Sequence, residues 1–401
     1  MNDYFADLGQ AVQVRWKAAN FSLPAFPGIA TALLEECPPI DHVDLAALVR
    51  DFLIDDSQPM QSLSGFGQPE LVVYDHPRFY IQVLFWLDGT TDIHQHEFSG
   101  AFHVLAGSSV HSHFAFENPQ AITAHFQVGD LRLIDTRLLE TGATVPIVSG
   151  RGCIHSLFHL ETPSVTVVVR TRSDPGTGPQ FTYLPPHIAL DPMQDDALTM
   201  RRKQLLDALE QVGDPDYPEL VQAMISELDF ERGFFILQNG MPHLRAHGAW
   251  EEVWNVFEQK HGELAGRVVP TLEEIIRRDG LVDLRGSVED VEHRFFLALL
   301  LSVRSRSQIL EMVAQRYPGE AQETILRWAG ELLVTSPSGT WMIDAEFPDG
   351  LSIDPDERPD VLLRALRALL TGGKMSGVTR GEARALRDEL ARSSWRVLAA
   401  S

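Results

Sequence analysis

Two histidines one residue apart, His94 and His96, stand in the stretch WLDGTTDIHQHEFSGAFHVLAG at residues 86–107. Alternate residues of a strand share a face, so both imidazoles project the same way. Each offers a neutral nitrogen, and the strand fixes their spacing, which is an efficient start to a metal site. A lone H-x-H says little, because surface histidine pairs also occur by chance. The missing ligand has to arrive from a distant strand. His155 meets that need: it follows a glycine turn (Gly150, Gly152) in GRGCIHSLFHL. An open set of three histidines leaves coordination positions free, as a catalytic metal needs and a structural one does not.

Such residues have to be held by strands. From about Gln68 the chain runs as short segments rich in Val, Ile, Phe and Thr: ELVVYD, RFYIQVLFWL, AFHVLAG, SSVHSHFAF, ITAHFQVGD, LRLIDTRLLE, ATVPIVSG, CIHSLFHL and SVTVVVRTR. Gly, Asn-Pro or Asp punctuates them, and no helical pattern intervenes. That pattern predicts an antiparallel sandwich or barrel of the jelly-roll kind over residues 57–190. Residues 1–56 read as helical, with Asp44 placed to cap the helix DLAALVRDFL. The proline-rich stretch 173–196 reads as a connection. Residues 197–401 read as mostly helical, so the fold class is α+β. Within that region three helices and a hairpin around Pro348-Asp349-Gly350 have the order of a winged helix at about 288–354; an all-helical bundle with one irregular loop is the competing reading.

Composition narrows the function classes. The chain has 401 residues, 44% of them hydrophobic, and a formal net charge of −23. Such a field repels phosphate, which disfavours a sequence-independent grip on nucleic acid or on an anionic membrane. Cys37 and Cys153 are the two cysteines, far apart and outside any C-x-x-C, which suits a reducing compartment. The N-terminal stretch lacks a signal-peptide apolar core, and FFLALLLSV is about half the roughly 20 residues a membrane span needs. The expected address is the cytoplasm.

The combination G…H-x-H…G with a later G-x-G-x-x-H resembles the two sequence motifs of the cupin superfamily, over about residues 65–172. In that superfamily the two motifs sit on separate hairpins, and barrel closure brings their histidines together. The resemblance therefore implies His94, His96 and His155 as metal ligands. The cupin pattern normally adds a glutamate seven residues before the next glycine. Counting back from Gly107 gives Gly100, and Glu97 points off the other face. Three histidines without a carboxylate resemble the thiol dioxygenase branch related to cysteine dioxygenase, as does the lead-in FYIQVLFWLDGTTDIHQH. Gly100 falls where some of those enzymes carry a cross-linked cysteine and others a glycine. The chain departs from that branch in two places. Leu71 to Tyr74 occupy the neighbourhood of its substrate-binding arginine, and Thr166, Val168 and Arg170 replace its S-x-H-x-Y series.

The resemblance implies Fe(II) as the first choice of metal; imidazole also suits Zn, Ni, Mn and Cu. It implies a non-haem iron oxygenase that uses O2 on a small molecule or peptide side chain other than free cysteine. The alternative is a non-catalytic, ligand-sensing cupin fused to a helical interaction or DNA-binding-like domain. Arg170 is the candidate anion-binding group, with Trp86, Gly100, His113 and Cys153 as further substrate-side candidates. His103 is expected outside the barrel; His159, where cupins often carry asparagine, is expected to serve packing, with contact to the metal's surroundings as the alternative. The segment VEHRFFLALLLSV is a candidate surface for a homodimer through the helical region.

Overall fold

The computed structural model describes residues 3–61, 66–87, 92–194, 196–335, 353–375 and 377–399. Three helices come first: α1 (Asp3–Ala18), α2 (Phe26–Glu36) and α3 (Leu45–Ile54). Asp44 caps α3 as expected, its carboxylate accepting from the Ala47 N–H at 2.9 Å.

Eleven strands follow among the described residues: β1 (Glu70–His76), β2 (Phe79–Trp86), β3 (His94–His96), β4 (Gly100–Ala106), β5 (Ser109–Ala121), β6 (Phe126–Leu139), β7 (Thr144–Ile147), β8 (Gly150–His159), β9 (Ser164–Thr171), β10 (Thr182–Leu184) and β11 (Ile188–Leu190). They form two antiparallel sheets. One runs β1-β2-β9-β4-β7; the other runs β10-β11-β6-β5-β8-β3 and closes through a pairing of Thr182 with His94. The fold is thus an antiparallel jelly-roll barrel followed by a mostly helical region. Leu84 and Trp86 of β2, Phe102 and Val104 of β4, Val168 of β9 and Leu157 of β8 pack together between the sheets. Val165, Val167 and Val169, on the opposite face of β9, pack with Phe5, Trp16 and Phe26 of the N-terminal helices. The central strand β9 is buried on both faces, which is why SVTVVVRTR reads as an unbroken apolar run.

Two readings of the strand region change. Gly129-Asp130 does not break the chain: β6 runs straight through it, and Gly129 N–H donates to His187 O at 2.8 Å. A Cβ at Gly129 would meet the Phe116 ring, so the glycine serves close approach and not a turn. The proline-rich connection contains β10 and β11, whose hairpin completes the second sheet.

The helices that follow are α4 (Ala197–Gln211), α5 (Tyr217–Glu227), α6 (Phe230–Ala246), α7 (Trp250–His261), α8 (Val268–Gly286), α9 (Val291–Ser302), α10 (Arg306–Arg316), α11 (Ala321–Thr335), α12 (Arg358–Thr371), α13 (Arg380–Leu390) and α14 (Arg396–Ala399). They pack on the barrel in two patches. Phe126, Val128 and Ile188 join the core of α4–α8, and Val110, Phe158 and Leu160 join the core of α8–α14. The hairpin expected near Pro348 lies outside the described residues, so the winged-helix order is seen only as its three helices α9–α11. All residues from Phe295 to Leu301 are buried inside this chain. The apolar segment proposed as a dimer surface therefore faces the chain's own core. No helix among the described residues is long and apolar enough to cross a membrane.

Candidate metal centre

β3 is only three residues long, held between β8 and β10. His94 pairs with His155 and His96 with Gly150, the ladder slipping between them. The side chain between them, Gln95, takes hydrogen bonds elsewhere: Tyr183 Oη donates to its Oε1 at 2.5 Å, and its Nε2 donates to Pro179 O at 2.8 Å. That leaves both histidines on the inner face, as the alternation predicts. His94, His96 and His155 are all buried, and one ligand nitrogen from each lies within 4.8 Å of the others.

The hydrogen bonds say which nitrogens are free. His94 Nδ1 lies 2.7 Å from the Asp92 carbonyl, which can only accept, so the proton is on Nδ1. Its Nε2 keeps a lone pair, is buried and has no hydrogen-bond partner. His155 Nε2 faces His96 Nε2 at 2.8 Å, while His155 Nδ1 is 2.8 Å from His111 Nε2. Burial, reinforced by the neighbouring rings, pushes the affinity of His96, His155 and His111 for a proton well below the ordinary range; His94 is lowered too, again through burial. Three uncharged imidazoles with a stranded inward lone pair are what a divalent metal requires of its ligands. The donor set fits, and nitrogen donors alone do not choose among Fe, Zn, Ni, Mn and Cu.

Beside the triad lies a cavity of about 30 Å³, walled by Phe66, Leu84, Trp86, Phe98, Phe102 and Leu157 among others. No charged side chain among the described residues lines it. Its polar walls besides the triad are Gln82, whose buried Oε1 finds no hydrogen-bond partner, and Thr166, whose Oγ1 accepts from Trp86 Nε1 at 3.2 Å.

The other candidates sort by geometry. Trp86 lines the cavity and stacks on His159 at 4.8 Å between ring centroids. Arg170 has the inward register of Thr166 and Val168, yet its guanidinium lies over the Phe98 ring at 3.3 Å and is outside the cavity lining. It donates to the carbonyls of Thr171 and Arg172. Burial lowers its pKa to about 10, so it stays charged at neutrality. It is therefore not the anion-binding group of this cavity as it stands. Gly100 offers nothing to a ligand: a Cβ there would run into the carbonyl oxygen of Val169, so the glycine is required by the approach of β9. His113 pairs with Asp135 at 3.0 Å, part-exposed and away from the lining. Cys153 is buried, with its thiol pushed up to about 11 by burial, so it is a protonated thiol outside the lining.

His103 lies on the outer face of β4, bonded to Thr144 Oγ1 at 2.8 Å. His159 packs behind Trp86, its Nδ1 2.8 Å from Ser109 Oγ and its ring stacked on the indole. Sequence reasoning missed His111 as a partner of His155. The sequence carries a second H-x-H, His111 and His113 in VHSHF, which reads as a strand pair able to reach the pocket mouth, but only the β5–β8 register, which sets His111 opposite Leu157 and His113 opposite His155, brings the His111 ring to Nδ1.

Fold and site together define an antiparallel β-barrel carrying a buried histidine triad that could hold a metal. No family model matches the chain, and no curated protein does. Partial likenesses exist among solved structures. KdgF from Halomonas sp. is 17% identical, with 30% of this chain and 94% of that one covered at a TM-score of 0.21. A cupin-2 domain protein from Shewanella frigidimarina is 14% identical, with 27% and 86% covered at 0.19. Hydroquinone 1,2-dioxygenase from Sphingomonas sp. TTNP3 is 11% identical, with 27% and 68% covered at 0.21. Scores this low carry no argument about chemistry.

Proposed function

We propose that this protein is a metal-dependent cupin enzyme, a non-haem Fe(II) oxygenase similar to the three-histidine thiol dioxygenases. The observation that carries the reading is the convergence of three buried, uncharged imidazoles with the His94 Nε2 lone pair left unpartnered. Bound there, Fe(II) would supply oxygen chemistry and open positions for substrate. The chain's own residues do the rest. The Asp92 carbonyl orients His94, and Trp86, Phe98, Phe102 and Leu157 exclude water from the reacting side. A wall without charge among the described residues disfavours a zwitterionic amino acid, whose carboxylate and ammonium would be buried unpaired. That supports a substrate other than free cysteine, small or presented as a side chain, with O2 as co-substrate.

Elemental analysis of the purified protein tests the centre, with His94→Ala and His155→Ala as controls. About one iron per chain is expected, lost in both variants; full occupancy in both variants refutes the assignment. Oxygen-electrode traces on iron-loaded protein, with a thiol panel and with 2-oxoglutarate, test the reaction class. Bound iron without oxygen uptake under any of these conditions would leave a ligand-binding cupin in place of an oxygenase.

A further inference from the structure

His111 is fully buried on β5, and the proposed chemistry gives it no part. Its Nε2 lies 2.8 Å from Nδ1 of His155, while its own Nδ1 is buried and has no hydrogen-bond partner. The ring is held edge-on by Phe102 at 5.9 Å and by His113 at 4.2 Å, centroid to centroid. A histidine serving as ligand through one nitrogen needs the other nitrogen held, because that bond sets both the tautomer and the ring direction. For His94 the holder is a backbone carbonyl, which can only accept. For His155 it is a second imidazole, which can either donate or accept.

We propose that His111 is a positioning residue of the metal centre: it accepts the Nδ1–H of His155 and so turns a bare His155 Nε2 toward His94 and His96. The inference rests on the metal-centre reading above. It also explains why a polar ring sits fully buried with one nitrogen unsatisfied, an arrangement that costs stability unless the other nitrogen has a use. In the absence of metal, the single proton between His96 Nε2 and His155 Nε2 joins the two rings to each other. With both Nε2 atoms given to a metal, each ring would hold its own proton on Nδ1, on His96 an atom with no other partner. His155 then carries its proton on Nδ1, where His111 Nε2 receives it.

The test uses the full chain, with Zn(II) and Co(II) titrated alone. In Zn-loaded wild-type protein, ¹⁵N-correlated spectra of the imidazoles should place the His155 proton on Nδ1; a proton on Nε2 overturns the inference without any variant. His111→Phe keeps a ring but removes the acceptor, and should weaken metal binding ~10- to 100-fold and shift the Co(II) absorption bands. His111→Gln, whose amide reaches the place of Nε2, should recover most of both. If wild type binds metal and His111→Phe, folded by circular dichroism, binds within a factor of about two with the same Co(II) spectrum, this inference fails while the centre stands. If folded wild type takes up no metal, both fail.

Discussion

The barrel interior and the helical region bury polar groups in opposite ways. In the helices, buried charge is met by a carboxylate or by backbone carbonyls. Arg277 grips Glu274 through two contacts of 2.8 Å, and Arg396 reaches the same carboxylate. Arg285 donates twice to the His159 carbonyl, and Arg294 bonds the Leu160 carbonyl and Thr162. Around the triad the buried polar groups are uncharged rings, an amide and a hydroxyl, and one nitrogen each of His94, His96 and His111 has no hydrogen-bond partner. Ion pairs and carbonyl contacts serve only to tie elements together. The unpartnered His94 Nε2 lies within the triad, where a metal could take it.

Removing one member from each kind of arrangement separates them. The largest effect expected is on metal: His155→Ala should lose essentially all uptake by elemental analysis while the helical content by circular dichroism stays. Glu274→Ala should do the reverse, taking the carboxylate from Arg277, Arg278 and Arg396 and costing about 3–5 kcal/mol in urea unfolding, with metal stoichiometry of the folded fraction unchanged. Equal metal loss in both would collapse the distinction.

Acid should find the barrel first. Burial lowers the pKa of His159 to about 3, from 6.5 in the unfolded chain. Between those values the unfolded state binds the extra proton, so stability is full above about pH 6.5 and declines as pH falls toward the folded value. At pH 5 this one ring costs about 2 kcal/mol, from 1.5 units at about 1.4 kcal/mol each. The other buried histidines act in the same direction. Melting curves of metal-free protein between pH 7 and 5 should drop steeply, and a flat profile would contradict the buried, uncharged state of these rings. The smallest effect concerns thiols: iodoacetamide should label exposed Cys37 quickly and leave buried Cys153 untouched in the folded protein, by mass spectrometry.

Much of this was readable from residues alone. The alternation at His94 and His96, the glycine turn before His155, the strand run and the Asp44 cap depend on local geometry, and local geometry is what spacing encodes. What escaped depends on register and depth. Gly100 reads as the place of a lost functional side chain, yet the neighbouring backbone of β9 demands it. Arg170 has the inward parity expected and is then taken up by Phe98 and two carbonyls. The apolar run of α9 looks the same whether it meets a second copy or its own core. His111 required knowing which residues of β5 and β8 lie opposite one another.

β8 serves both regions at once. Its inner face carries His155, and its other face carries Phe158, which enters the core of α8–α14. Such a strand tolerates exchange of side chains far better than a change of length. One residue added or removed between His155 and Phe158 would shift the frame, aiming an aromatic ring at the triad or a histidine into the helices. The spacing from His155 to Phe158 is therefore constrained from two sides at once, and an insertion or deletion there disturbs the barrel and the helices together.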